Sequence, residues 1–381
     1  MRYHILFICF LHVSVGAFSQ SPDIQFSTLT SKDGLLSNSV NCILKDRYGL
    51  MWFATDDGLN KFDGTNFTVY RNIPGDSSSL RANEILSLHE DHAGNLWVGT
   101  SGGAVSVYDR KNDRFVNYPA AGHGADLPSN SVVRGICSDY LGRIWIAQFK
   151  APYILDPATG HITRVTLPDG GKIASGGGNL SGMSLFCLFE DSHRRMWIGS
   201  DSGLFSYDPF KNSFRRFRHD SRDATSLVDD KVNAIVEDKG GDLWIGTDRG
   251  LCRLLPDDRG FVSYRQMKRP DSVLSGYPVT SIAADKDGLL WIGTTEGLHV
   301  LDSKSGLSQS YFPQQRNLHS LTSKMIRSVY VDKEGIYWFG TSQGGINKYD
   351  KNLNLFHVVA TEAFPGYASG STFINTFAER A

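Results

Sequence analysis

Asp238-Lys239-Gly240-Gly241-Asp242-Leu243-Trp244-Ile245-Gly246-Thr247 is written, with variations, seven times along the chain. All seven tryptophans, Trp52, Trp97, Trp145, Trp197, Trp244, Trp291 and Trp338, hold the same place in it, 45 to 52 residues apart. Asp46, Asp91, Asp139, Asp191, Asp238, Asp285 and Asp332 each stand six positions before one of them. A glycine stands three before in every copy but the fourth, where Arg194 takes its place. Repetition at such a period marks a repeat architecture, and it governs how every other motif is read.

Around Trp244, Val232-Asn233-Ala234-Ile235-Val236 and Leu243-Trp244-Ile245-Gly246-Thr247 are β-prone runs on either side of an Asp/Gly turn, which predicts a hairpin. The aspartate can accept backbone N–H bonds in the turn, and the glycine can take positive φ. Leu251-Cys252-Arg253-Leu254 and Phe261-Val262-Ser263-Tyr264 supply two further strands. Four short antiparallel strands per repeat predict an all-β fold, a seven-bladed β-propeller of four-stranded blades. A lone blade cannot cover its faces, so the indoles are read as core between blades, each worth about 4–6 kcal/mol gross at about 25 cal/mol per Å². The position ten before each Trp is always small (Cys42, Ser87, Gly135, Cys187, Ala234, Ser281, Ser328), which suggests close approach between neighbouring blades.

The motif Asp-x-x-Gly-x-Leu-Trp-Ile-Gly-Thr resembles the two-component regulator propeller repeat, and the likeness covers nearly all of residues 24–360. The chain lacks the Gly-His and Trp-Asp pattern of WD blades and the paired glycines of kelch blades. The resemblance implies the periplasmic sensor half of a hybrid two-component regulator, part of a large bacterial membrane protein that detects oligosaccharides. It implies an oligosaccharide or other small ligand and leaves room for a homodimer in the full-length sensor. Histidine kinase activity would then lie outside this chain, which carries no kinase, receiver or DNA-binding motif and is not expected to be an enzyme. Two other readings stay open. A propeller lyase acting on a glycan or lactone would need a histidine and acidic partners on one face, and the histidines here are scattered. A protein-interaction scaffold would need no pocket.

In chain order, Met1-Arg2-Tyr3-His4, the apolar run Ile5 to Val15 and Ala17-Phe18-Ser19 predict a secretory signal peptide over 1–19. The propeller is expected over 20–360. No later apolar segment approaches the roughly 20 residues that span a bilayer. A net charge of −1 and 12% aromatic residues indicate neither a disordered chain nor an electrostatic grip on nucleic acid. The cysteines of the expected mature chain, Cys42, Cys137, Cys187 and Cys252, fall in different blades and read as buried thiols. Ile24-Gln25-Phe26-Ser27-Thr28-Leu29 resembles an outer strand and is expected to complete the last blade. Ser79-Leu80, Leu127, Ser226-Leu227 and Ser320-Leu321 recur in the loops leading into inner strands and are read as structural. The longest such loop, Leu167 to Ser184, is glycine-rich and read as flexible. Ile374-Asn375-Thr376-Phe377-Ala378-Glu379 repeats the inner-strand pattern, so 361–381 is read as the truncated start of an eighth repeat, from a second propeller of a longer product.

Chemistry is thinly represented. Asp285-Lys286-Asp287-Gly288 lacks the acidic ligand of a calcium loop, and His89 and His92 have no third ligand, so no metal and no cofactor is expected. No catalytic triad can be assembled from spacing. A ring builds its binding site from positions it does not need for packing. One such position is eleven before each Trp: Asn41, Leu86, Arg134, Phe186, Asn233, Thr280 and Arg327, expected at the start of the inner strand, facing the channel. Asn41, Arg134, Asn233 and Arg327 are therefore candidate ligand contacts. An arginine there either grips a carboxylate or sulfate or is satisfied within the channel. The turns after the Trp strands, expected on the same face, also vary. In the third blade Ala147-Gln148-Phe149-Lys150 replaces the usual Gly-Thr turn, and Phe149 with Lys150 either stacks on a sugar or marks a decayed turn.

Overall fold

The hairpin expected around Trp244 forms, and two more strands complete its blade. Val232–Glu237 is the inner strand, Leu243–Thr247 carries the tryptophan, Gly250–Leu254 comes third and Phe261–Ser263 lies outermost. The computed structural model describes residues 24–118, 127, 131–149, 151–167, 183–264 and 276–352. Across them the unit recurs as seven four-stranded antiparallel sheets, with no α-helix among the described residues. This is a seven-bladed β-propeller. The expected signal peptide over 1–19, Lys150, the glycine-rich stretch 168–182 and the eighth repeat over 361–381 lie outside the described residues. No helix among those described is long and apolar enough to cross a membrane.

The six-residue spacing from Asp to Trp has two causes. In each blade one carboxylate oxygen accepts backbone N–H bonds from the residues two and four further on, as Asp46 Oδ1 does from Tyr48 and Leu50, both at 3.0 Å. In six blades the other oxygen takes the indole N–H across the hairpin, at 2.8 to 3.0 Å. A buried indole N–H without an acceptor would cost about 1–3 kcal/mol, so the aspartate both folds the turn and allows the ring to be buried. The turn needs a left-handed residue three before the Trp. Gly241 supplies it at φ 83°, and Arg194 adopts it at φ 65° in the one blade without glycine.

Seven hydrophobic clusters hold the ring together, and each joins a tryptophan to the following blade. Trp97 packs with Ile136 and Ile146, Trp244 with Ile282 and Ile292, and Trp338 with Val40 and Phe53, where the last blade meets the first. The small position on each inner strand sits opposite the residue two after the Trp, as Ser87 does opposite Gly99. A β-carbon at Gly99 would lie 2.7 Å from Cγ1 of Val133, on the next blade, so the close approach between blades is real. Ring closure also follows the sequence reading. Ser27–Leu29 pairs antiparallel with Ile346–Asp350 as the fourth strand of the Trp338 blade. Phe26, just before it, is buried edge-on against Tyr311 and Phe339.

The recurrent loops are structural as well. Leu80, Leu127, Leu227 and Leu321 are buried, and Ser79, Ser226 and Ser320 each bond backbone within their own loop. The four described cysteines are free thiols. Burial pushes Cys137, Cys187 and Cys252 up to about 12, so they stay protonated and inert.

Candidate functional site

Each inner strand carries a β-bulge, and each bulge falls on the variable position. Pairing with the Trp strand skips from Val40 to Cys42, from Val133 to Gly135, from Val232 to Ala234, and likewise in the other four blades. The residue skipped is Asn41, Leu86, Arg134, Phe186, Asn233, Thr280 or Arg327. A bulged residue is free of the ladder and its side chain is re-aimed. All seven line one cavity of about 840 Å³ at the centre of the ring.

The turns after the Trp strands share this face. Asp56 N–H bonds Ser39 O, Ser101 bonds Glu84, Asp201 bonds Ser184, Asp248 bonds Lys231 and Thr295 bonds Pro278, each tying a turn to the residue that leads into the inner strand. Two aspartates from these turns gather most of the polar bulge residues. Asp56 Oδ1 accepts from Asn41 Nδ2 at 2.9 Å and from Arg327 Nη1 at 3.0 Å, and Arg327 also reaches Asn41 Oδ1 at 2.6 Å. Asp248 accepts from Asn233 Nδ2 and from Lys231 Nζ, both at 2.9 Å. Asn41, Asn233 and Thr280 further bond the carbonyls of Ile85, Val279 and Ile326 on the neighbouring blades. Arg327, Asn41 and Asn233 are therefore fastened to the ring.

Arg134 is different. It is exposed, its guanidinium lies 5.8 Å from the centre of the Phe186 ring, and among the described residues it has no carboxylate partner. Lys231 Nζ lies 5.5 Å from the same ring. Phe149 is 41% exposed and does not line the channel cavity; its N–H bonds Ser131 Oγ at 3.1 Å. The altered turn of this blade has a structural component. Gln148 is fully buried and donates to Gly103 O of the preceding blade at 2.9 Å, whereas Thr55, Thr247 and Thr294 at this position bond within their own turn. Lys231 and Glu84 also line the cavity, and reading the bulge column alone missed them. They stand thirteen before their tryptophans, a second variable column that also supplies Pro278 and Met325.

A serine and two histidines meet across blades two and three, where spacing alone suggested nothing. His89 Nε2 lies 2.9 Å from Ser138 Oγ and also accepts the Ser138 N–H at 2.9 Å, while His92 Nδ1 lies 3.3 Å from the same hydroxyl. Burial lowers His89 to about 4, and Ser138 is 4% exposed. A neutral imidazole whose free nitrogen already binds a backbone N–H is a packing partner for a buried hydroxyl. Among the described residues no three His, Cys, Asp or Glu side chains gather as a metal set.

The family pattern described as two component regulator propeller matches residues 34–57, 79–102, 226–249, 273–296 and 320–343. These are two-component regulator propeller repeats. The two blades outside the matched windows are those of Trp145 and Trp197, where Ala147-Gln148 and Arg194 depart from the consensus. The propeller is similar to the extracellular domain assigned to a hybrid two-component system of B. thetaiotaomicron, with 26% identity and a TM-score of 0.70 over 86% of this chain. A second extracellular domain of that organism shares the fold, with 23% identity, a TM-score of 0.68 and 85% of this chain covered. Over 78 residues, 20% of its length, the chain is 42% identical to Histidine kinase P4 of Formosa agariphila. It spans 42% and 39% of the two solved relatives and 6% of that kinase.

Proposed function

We propose that this propeller is an exported, periplasmic ligand-sensing module of a two-component signalling protein, and that its ligand, of oligosaccharide type, docks at the channel mouth. The observation that carries the reading is the coincidence of bulge and variation. Seven side chains held outside the ladder face one cavity, and they are the positions that differ from blade to blade. A scaffold conserved for packing with a rim free to vary suits recognition better than catalysis, and the reading assigns no chemical step to this chain. Similarity to extracellular domains of hybrid two-component systems supports a sensor role, with any kinase activity residing elsewhere in the signalling protein.

The test is calorimetry and thermal shift of the purified domain against defined oligosaccharides, repeated with Leu86→Trp to fill the mouth. The expected result is a ligand-dependent rise in Tm that Leu86→Trp removes. A rise that survives Leu86→Trp would move the site away from the channel.

A further inference from the structure

Among the described residues, every cation that lines the channel is accounted for except one. Arg327 is held by Asp56 and Lys231 by Asp248. Arg134 alone has neither a carboxylate nor a hydrogen-bond partner among the described residues. Glu84, on the preceding blade and lining the same cavity, makes no ion pair with it. What Arg134 has is a platform. The Phe186 ring, half-buried at the bulge of the next blade, attracts the guanidinium by its quadrupole, which is worth about 0.5–1 kcal/mol at an exposed site. Such contact restrains the side chain without using its N–H donors. Lys231 Nζ, 5.5 Å from the centre of the same ring, spends one N–H on Asp248 and keeps its other donors.

An arginine restrained by an aromatic ring, with its donors free and a second cation close by, is an anion receptor. Its planar fork matches the paired oxygens of a carboxylate or sulfate. Asp56 and Glu84 on the remaining rim disfavour a second anion, so the arrangement selects one acidic group on an otherwise neutral, hydroxylated molecule. We infer that Arg134, Phe186 and Lys231 form a subsite for a single carboxylate or sulfate substituent, and that the ligand is an acidic saccharide. This inference rests on the channel-mouth reading and narrows it to one ligand class.

The experiment titrates glucose, glucuronate, glucose 6-sulfate and inorganic sulfate into the wild-type domain, Arg134→Ala, Arg134→Lys and Phe186→Leu, followed by saturation-transfer NMR and calorimetry. Retained circular dichroism and Tm establish that each variant folds. The expected result is that glucuronate or glucose 6-sulfate binds at least tenfold more tightly than glucose. Arg134→Ala abolishes that preference, Arg134→Lys restores part of it, and Phe186→Leu weakens it. Loss of a charged hydrogen-bonding pair of this kind is worth roughly tenfold to a hundredfold in affinity. Equal binding of glucose and the acidic sugars, or a preference unchanged in Arg134→Ala, overturns the subsite while leaving a neutral sugar-binding mouth standing. Inorganic sulfate binding as tightly as glucose 6-sulfate overturns the saccharide assignment. No binding of any probe to the wild type overturns the subsite and the channel-mouth reading together.

Discussion

Trp338 Nε1 and the carboxylate of Asp332 are not hydrogen-bonded, although six equivalent pairs in the ring are. Lys45 reaches across from the first blade and bonds Asp332 Oδ2 at 3.3 Å, together with Glu334. The buried Trp338 N–H has no partner among the described residues, while Lys348 Nζ lies 5.2 Å from the centre of the ring. Where the ring closes, an ion pair stands in place of the indole bond.

Tryptophan-to-phenylalanine substitutions should therefore differ between blades. Trp244→Phe removes a bond to Asp238 and leaves that carboxylate oxygen unpaired, whereas Trp338→Phe removes an N–H that was already unsatisfied. Urea unfolding should show Trp244→Phe to be the more destabilising by about 1–3 kcal/mol. Equal losses would mean that the indole bonds contribute nothing distinctive.

Gly99→Ala should destabilise by about 1–3 kcal/mol, because the new methyl meets Ser87 Oγ on its own blade and Val133 on the next. The third blade shows a tolerated arrangement, Ala147 opposite Gly135. Copying it with Ser87→Gly should recover part of the loss, read as a favourable coupling in a double-mutant cycle. Additive losses would refute the idea that the two positions share one space.

Acid should weaken the ring through its buried histidines. His299 is fully buried between Thr294 and Ser310, and burial lowers it to about 4, as it does His89. The unfolded chain takes up these protons first, near pH 6.5. Their contribution is therefore complete above pH 6.5 and is lost as pH falls toward 4, at roughly 1–3 kcal/mol for each histidine. His299→Gln should make the fall of the unfolding midpoint between pH 6.5 and 4 shallower. An unchanged slope would place the acid sensitivity elsewhere.

Arg327→Ala and Arg134→Ala should separate by stability. The first releases Asp56 and Asn41 and should cost about 0.5–1 kcal/mol, an ion pair this accessible being screened by solvent. The second breaks no hydrogen bond among the described residues and gives up only the Phe186 contact, at 5.8 Å near the limit of that interaction, so it should cost no more than about 0.5 kcal/mol. A destabilised Arg134→Ala would show that this side chain holds the ring together.

The repeat made the fold legible because packing constrains the same positions seven times. Asp238, Gly241, Trp244 and Gly246 each answer a steric or hydrogen-bonding demand that recurs in most blades, so their spacing carried the hairpin, the blade and the closure by Phe26 to Leu29. The indole bond from Trp to Asp went unread, though a buried indole without an acceptor in its own strand was the available signal. The channel was legible as a column of variation. Its wiring was not, because Arg327 and Arg134 are the same residue at the same repeat position. Only the neighbours, Asp56 for one and Phe186 for the other, tell them apart, and these come from other blades.

Ser27 and Lys348 lie side by side in the closing sheet and 321 residues apart along the chain. The first strand of the ring to be made is thus the last that can be seated. Until Ile346–Asp350 exists, Ser27–Leu29 has no edge to join, and the nascent chain holds an open arc whose two end blades are each uncovered on one side. A chain interrupted before Lys348 should therefore be open to proteases at both end blades, the first as well as the last, rather than only at its broken end.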